Sequence, residues 1–187
     1  MKVLLKWTQI ALFAGAIAML SWCAFAIVDT WTFQREQRRQ FASMLADRAM
    51  ATPPPASDRN VIGLLDIPRL GLSVMVIEGA GTATLRRAAG HIPGTALPGQ
   101  PGNAGISAHR DTFFRPLRNI RQNDVITVST VRGEYRYRVV STRIVSPSDV
   151  TVLQPAGTEI LTLVTCYPFY YVGSAPDRFI VRAERIS

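Results

Sequence analysis

"EILTLVTCYPFYYVGSAPDRFIV", residues 159–181, is the stretch on which the fold turns. It opens on a β-prone run, EILTLVTC, and closes on the start of another, RFIVRAERI. Between them lie Pro168, Gly173 and Pro176, residues that interrupt strands and make turns. The pattern predicts a strand, a loop, and a second strand. Cys166 then ends the first strand, and Arg178 opens the second twelve residues later. A thiol in that position is commonly a small core hydrophobe. It is also where a rigid backbone can hold a nucleophile beside a fixed cation. The local pattern leaves both readings open.

The chain upstream of this stretch repeats the same theme. VIGLLDIPRLGLSVMVIEG reads as two short strands punctuated by Asp66-Ile67-Pro68 and Gly71, with DVITVST and EYRYRVVSTRIV as further candidates. EYRYRV alternates as a half-buried strand should. TATLRRAA and PLRNIR read as brief helices. Many short strands joined by Gly- and Pro-rich loops, without an internal repeat, predict a mostly-β sandwich or closed barrel over residues 60–187.

The N-terminal part has another character. Residues 10–28, IALFAGAIAMLSWCAFAIV, carry no charge and match the length that crosses a hydrocarbon core as a helix. Trp7 and Trp31 flank them as interfacial anchors. Lys2, Lys6 and the Ala24-Phe25-Ala26 pattern also suit a cleaved signal peptide, but the apolar run is longer than a usual signal core. The expectation is a retained single-pass anchor, with residues 1–9 cytoplasmic. Basic residues fall on both sides of the span, so charge gives orientation no decisive bias. Residues 31–50 hold strong helix formers without Gly or Pro, and ATPPPASD then breaks the helix. Residues 29–59 are therefore expected to be a helical stalk and Pro-rich linker.

Composition excludes several functions. The 187 residues are 48% apolar and 18% charged, which suits a folded protein. The net charge is +8, yet the excess over residues 60–187 is thinly spread, and aromatic residues do not interleave with it. That favours a solvated basic surface over a nucleic-acid platform. Two cysteines, one inside the apolar run, do not make a disulfide scaffold, and no Cys/His spacing suits a metal. No cofactor and no metal are expected.

Only two histidines exist. His109 ends a small-residue run in GNAGISAHRDTFF, whereas His91 lies in the turn-rich AAGHIPGTALPG and reads as structural. A thiol, an imidazole and a guanidinium at strand edges could supply nucleophile, proton carrier and oxyanion donor for acyl transfer. Each has a plainer role: core filling for Cys166, structural hydrogen bonding for His109, surface charge for Arg178. Asp111 reads as a local loop bond before an imidazole-orienting partner. The order His109 before Cys166 is the reverse of papain-like enzymes, and no caspase signature surrounds the cysteine.

At these residues the sequence resembles a known family. TLVTC, residues 162–166, is similar to the TLxTC motif of sortases, membrane-anchored cysteine transpeptidases of bacterial surfaces. GHIPGTALPGQPGNAGISAHRDTFFRPL, residues 90–117, resembles the family segment around its histidine, and APDRFIV the segment bearing its arginine. The short stretch between Cys166 and Arg178 looks most like the class D sortases. Ala108 departs from the glycine that relatives often carry before the histidine. The resemblance implies a closed β-barrel of about eight strands with short helices. It implies His109, Cys166 and Arg178 as catalytic residues, with Ala108 and Thr165 flanking them and lining the substrate groove. It further implies a secreted substrate with a C-terminal LPxTG-like sorting signal cleaved after Thr through a Cys acyl-enzyme. The amine acceptor is then a cell-wall precursor or a pilin lysine, and the catalytic domain is extracytoplasmic. Two other readings use the same residues: a membrane-anchored cysteine hydrolase, and a catalytically inactive β-barrel binding module.

Overall fold

The computed structural model of the chain describes residues 2–49 and 60–186. The Pro-rich stretch read as a linker, residues 51–59, lies outside the described residues. β1 (Val61–Ile67) alternates, sending Leu65 and Ile67 into the interior. Pro68 cannot donate to a ladder, so the strand yields to a 3-10 turn, Pro68–Leu70. Gly71 closes that turn with φ 60, a left-handed conformation that glycine adopts without steric cost. β2 (Leu72–Glu78) then returns antiparallel to β1. A six-residue helix, α2 (Thr82–Arg87), crosses over to β3 (Ala89–His91), which lies parallel to β2.

β4 (Gly102–Ser107), β5 (Val125–Thr130), β6 (Gly133–Val145), β7 (Glu159–Tyr167) and β8 (Asp177–Ile186) complete the sheet. It closes on itself in the order β1-β2-β3-β4-β7-β8-β6-β5, an eight-stranded barrel as the resemblance implied. Leu65, Val74, Ile106, Ile126, Leu161 and Val181 fill its interior and expose 1% of their surface or less. Tyr137 is the largest buried side chain; its hydroxyl accepts from Gly99 N–H at 2.9 Å. Burial pushes that phenol above its ordinary pKa.

The barrel closes where β1 meets β5. Gly63 sits at a register shift in β1, so close to β5 that a Cβ there would overlap the carbonyl oxygen of Ser129. A second tie spans the ends of β1 and β5. The Arg69 fork, in the turn after β1, grips the Asp124 carboxylate, which also accepts from Arg121 N–H at 2.7 Å.

α1 (Lys2–Ala49) is one unbroken helix. Its apolar part stands clear of the barrel, with Leu12 75% and Trp22 73% exposed. The part read as a stalk instead lies against β2. Gln34 accepts from Met75 N–H at 3.1 Å, and Arg38 donates to the Ser73 carbonyl at 2.7 Å. Leu72, Val74 and Val76 point into the barrel, so Met75 points outward; it is nonetheless fully buried, and Phe41 on α1 is buried too. No local pattern announces this docking, because Gln34 and Arg38 bond main-chain groups of a strand distant in sequence.

Two outcomes test this frame. Gly63→Ala should destabilise the full chain by about 1–3 kcal/mol, read as a lower thermal midpoint, because the added methyl forces β1 off β5. Asp124 carries an acid sensitivity: Arg69 holds its carboxyl below the usual range in the folded chain. Its contribution is therefore present above about pH 4, the unfolded value, and is lost as pH falls through the folded value. Denaturant midpoints should show Asp124→Asn less stable at neutral pH and losing less than the parent on acidification.

Candidate active site

β4 and β7 are parallel, paired from Gly102↔Glu159 to Ser107↔Val164. Parallel neighbours end at the same edge of a sheet. The residues just past β4 and at the end of β7 are thus brought side by side, although far apart in sequence. β8 runs antiparallel to β7, and its register sets Arg178 directly opposite Cys166. Cα atoms in such pairs lie about 4.5–5.5 Å apart.

A cavity of about 380 Å³ opens at this edge, lined by His109, Arg110, Asp111, Cys166, Ala175 and Arg178 among others. His109, Cys166 and Arg178 are each half-buried, so their functional atoms meet the cavity while their backbones stay in ordered segments. The Phe114 N–H bonds the His109 carbonyl at 3.1 Å, which turns the chain down into a buried Phe114 and fixes the histidine backbone. Arg178 donates from Nη1 to the Asp177 carbonyl at 2.9 Å and more distantly to that of Ala175. Asp111 is exposed and carries no hydrogen bond to His109.

Ala108 and Thr165 lie behind the cavity wall. Both are buried, and the Thr165 hydroxyl donates to the Ala108 carbonyl at 2.8 Å. They pin the segment carrying His109 to the strand carrying Cys166, and neither presents surface to a ligand. A methyl on residue 108 fits this place, which is why the departure from glycine leaves the wall intact. His91 is buried in β3, with ring nitrogens 2.8 Å from the Glu78 carboxylate and 3.0 Å from the Ala96 carbonyl, and takes no part in the cavity. Among the described residues no three His, Cys, Asp or Glu side chains converge as a metal site would require.

Arg110 was not foreseen. It follows His109 in the chain, and Nη2 donates to the carbonyls of Tyr171 (2.7 Å) and Gly173 (3.1 Å) in the β7–β8 loop. Its guanidinium also faces the Tyr171 ring at 5.8 Å, while Nη1 is buried without a partner among the described residues. Arg118 lies 5.5 Å from the Tyr170 ring on the same loop. The loop is therefore held at one end by Arg110 and at the other by Arg178. Nothing local in HRDTFF announces this, since its partners are carbonyls some sixty residues away.

The sortase domain family matches residues 65–186. Sortase D of Bacillus subtilis is 34% identical over 126 residues, 67% of this chain and 64% of that protein. Sortase A of Listeria monocytogenes is 26% identical over 110 residues, 57% of this chain and 49% of that protein. The chain thus matches less than two thirds of the length of either relative. Among solved structures, a Clostridium perfringens sortase D5 transpeptidase superposes with TM-score 0.67 at 26% identity, covering 83% of this chain and 97% of that one. A lid mutant of sortase A from Corynebacterium diphtheriae gives 0.66 at 30% identity, covering 72% and 74%.

The loop clamp has a direct readout. In Arg110→Ala the amides around 170–175 should exchange at least tenfold faster by hydrogen exchange, since one clamp is gone and local opening needs less free energy. Arg110→Lys should recover part of the protection. Equal exchange in all three proteins would show that the loop is held without Arg110.

Proposed function

The chain belongs to the sortase family, and from that premise we propose that it is a membrane-anchored cysteine transpeptidase acting on secreted proteins. The observation that carries the proposal is a cavity lined together by a thiol, an imidazole and a guanidinium. In this reading residues 10–28 span the membrane and the barrel lies outside the cytoplasm. A helix near the N-terminus that is long and apolar enough to cross a membrane, and that the barrel does not cover, supports the anchor.

The Cys166 thiolate attacks the threonine carbonyl of an LPxTG-like sorting signal. The carbonyl oxygen gains negative charge, and Arg178, opposite the cysteine, supplies N–H donors to it. To do so its guanidinium leaves the Asp177 and Ala175 carbonyls, so substrate replaces loop contacts that the arginine makes at rest. His109 gives a proton to the leaving amine as the peptide bond breaks, and a thioester remains on Cys166. An incoming amine then attacks the thioester, His109 takes its proton, and the thiolate leaves as a new amide forms. The acceptor is an amine on a cell-wall precursor or a pilin lysine. Anchoring enzyme and membrane-held precursor in one bilayer raises their effective concentration.

The test is mass spectrometry of the full chain in detergent micelles with a panel of LPxTG-type peptides, with and without an amine acceptor. An acyl adduct on Cys166 that the amine converts to a ligated product is the expected result. Cys166→Ala should form no adduct, and Arg178→Ala should lower kcat/KM about 10²–10³-fold. Adduct that yields only free acid in the presence of every amine would mean a hydrolase. No adduct with any peptide, together with a Cys166 inert to alkylation, would leave a binding module.

A further inference from the structure

A second, larger cavity of about 670 Å³ lies where α1 meets α2 and shares no lining residue with the first. Its walls divide by chemistry. Trp22 and Phe25 belong to the last turns of the apolar stretch, while Asp29, Arg86 and Arg87 provide charge. Arg87 already has partners: its guanidinium pairs with Asp29 at 3.1 Å and 3.3 Å and lies 5.7 Å from the Phe33 ring. Asp29 is neutralised by that pair. The Arg86 guanidinium is exposed and has no side-chain partner among the described residues, so its charge faces the cavity unopposed.

Helix geometry gives the depth of this cavity. Gln34 and Arg38 are four residues apart, about 6 Å along a helix. Their partners Met75 and Ser73 are two residues apart, about 6.6 Å along a strand. The equal spacings mean that α1 runs along β2, antiparallel to it. Thr30 and Gln34 touch the Arg86 and Arg87 carbonyls, so α2 sits beside a level only about 3–9 Å beyond residue 28. The headgroup layer on each face of a bilayer is about 5–8 Å thick. If residues 10–28 cross the membrane, α2 lies among headgroups. Trp31 occupies the same level, with Arg35 stacked 3.5 Å over its ring. Such an aromatic–cation pair suits the membrane interface.

We propose that the α1–α2 cleft is a binding site for the phosphate headgroup of an anionic phospholipid, with Arg86 on the phosphate and Trp22 and Phe25 against the acyl chains. The proposal rests on residues 10–28 being the anchor. It has a geometric corollary. α1 ascends in the direction opposite to β2, which is the direction of β4 and β7. The ends of β4 and β7 that carry His109 and Cys166 thus point in the direction in which α1 leaves its apolar stretch, and α2, just before β3, meets the sheet at the same edge.

The experiment uses the full chain in neutral detergent micelles, titrated with phosphatidylglycerol and followed by native mass spectrometry. Parallel arms use diacylglycerol, which lacks phosphate, and glycerol 3-phosphate, which lacks acyl chains. One saturable phosphatidylglycerol site is expected, about fivefold weaker in Arg86→Gln and largely kept in Arg86→Lys. Diacylglycerol and glycerol 3-phosphate should bind far more weakly. Cys166 alkylation at the parent rate would show that the Arg86 variants are folded. Equal lipid affinity in Arg86→Gln and the parent would overturn the site. Glycerol 3-phosphate binding as tightly as the lipid would make it a soluble-phosphate site instead. Alkaline extraction of the chain from membranes separates the two failures: release would overturn the anchor, and the lipid site with it, whereas retention with unchanged lipid affinity would overturn the site alone.

Discussion

The parallel pairing of β4 with β7 is the constraint from which the rest of the cavity follows. A parallel ladder sends two strands to the same sheet edge, and a slip of one residue would turn every side chain to the opposite face. Two buried side-chain bonds hold this register. Asn103 accepts from the Thr162 hydroxyl at 2.7 Å near the start of the ladder, and Thr165 donates to the Ala108 carbonyl at its end. The Asn103 amide also donates to the Val152 carbonyl at 2.9 Å, so the connection into β7 is tied to the strand beside it. Leaving any of these buried polar groups unpaired would cost about 1–3 kcal/mol, which makes the neighbouring registers unfavourable. His109 and Cys166 inherit their proximity from this lock.

The cavity combines a rigid floor with a held loop. The floor is barrel backbone, and Phe179 beneath the β7–β8 loop packs on Phe169 with ring centroids 5.3 Å apart. Above it, the loop places Tyr170 and Val172 in solvent, 78% and 97% exposed. Beyond Phe169, which packs on the core, little apolar burial holds the loop, so the position of its outer part depends on charge-assisted bonds from Arg110 and Arg178 to main-chain carbonyls. Such bonds can be exchanged for a substrate's carbonyls at small net cost, because the donor stays satisfied. The outer part of the loop is thus fixed by arginines more than by packing.

The N-terminal helix does two things at once. Its first half exposes large apolar side chains that no part of the barrel covers, and its second half shields Met75 on the outer face of β2. Because the helix does not break between them, the orientation of the barrel is coupled to the direction in which the apolar half runs. A flexible tether would leave that direction free. Polar contacts to main-chain groups of β2 and α2 and the buried Met75 and Phe41 make the docking together.

Much of this could be read from the sequence. The alternation in β1 and β6, the apolar run of β7, the break at Pro68 and the span at residues 10–28 are local signals, governed by side-chain periodicity and backbone chemistry within a few residues. The TLVTC and APDRFIV motifs pointed to Cys166 and Arg178, and the run before His109 to the histidine. β3 escaped notice because three residues in a glycine-rich stretch have no period of their own; they are a strand only because β2 and β4 pair with them. Arg110, the Thr165–Ala108 bond and the docking of Gln34 and Arg38 were equally illegible. Each joins groups distant in sequence through a main-chain carbonyl or amide, and every residue has those. Local chemistry thus determined which segments are strands and which is the membrane-length helix, and the motifs marked Cys166, His109 and Arg178 as candidates. Only the closed barrel decided which of them meet, because long-range pairing is chosen by register and burial across the whole sheet.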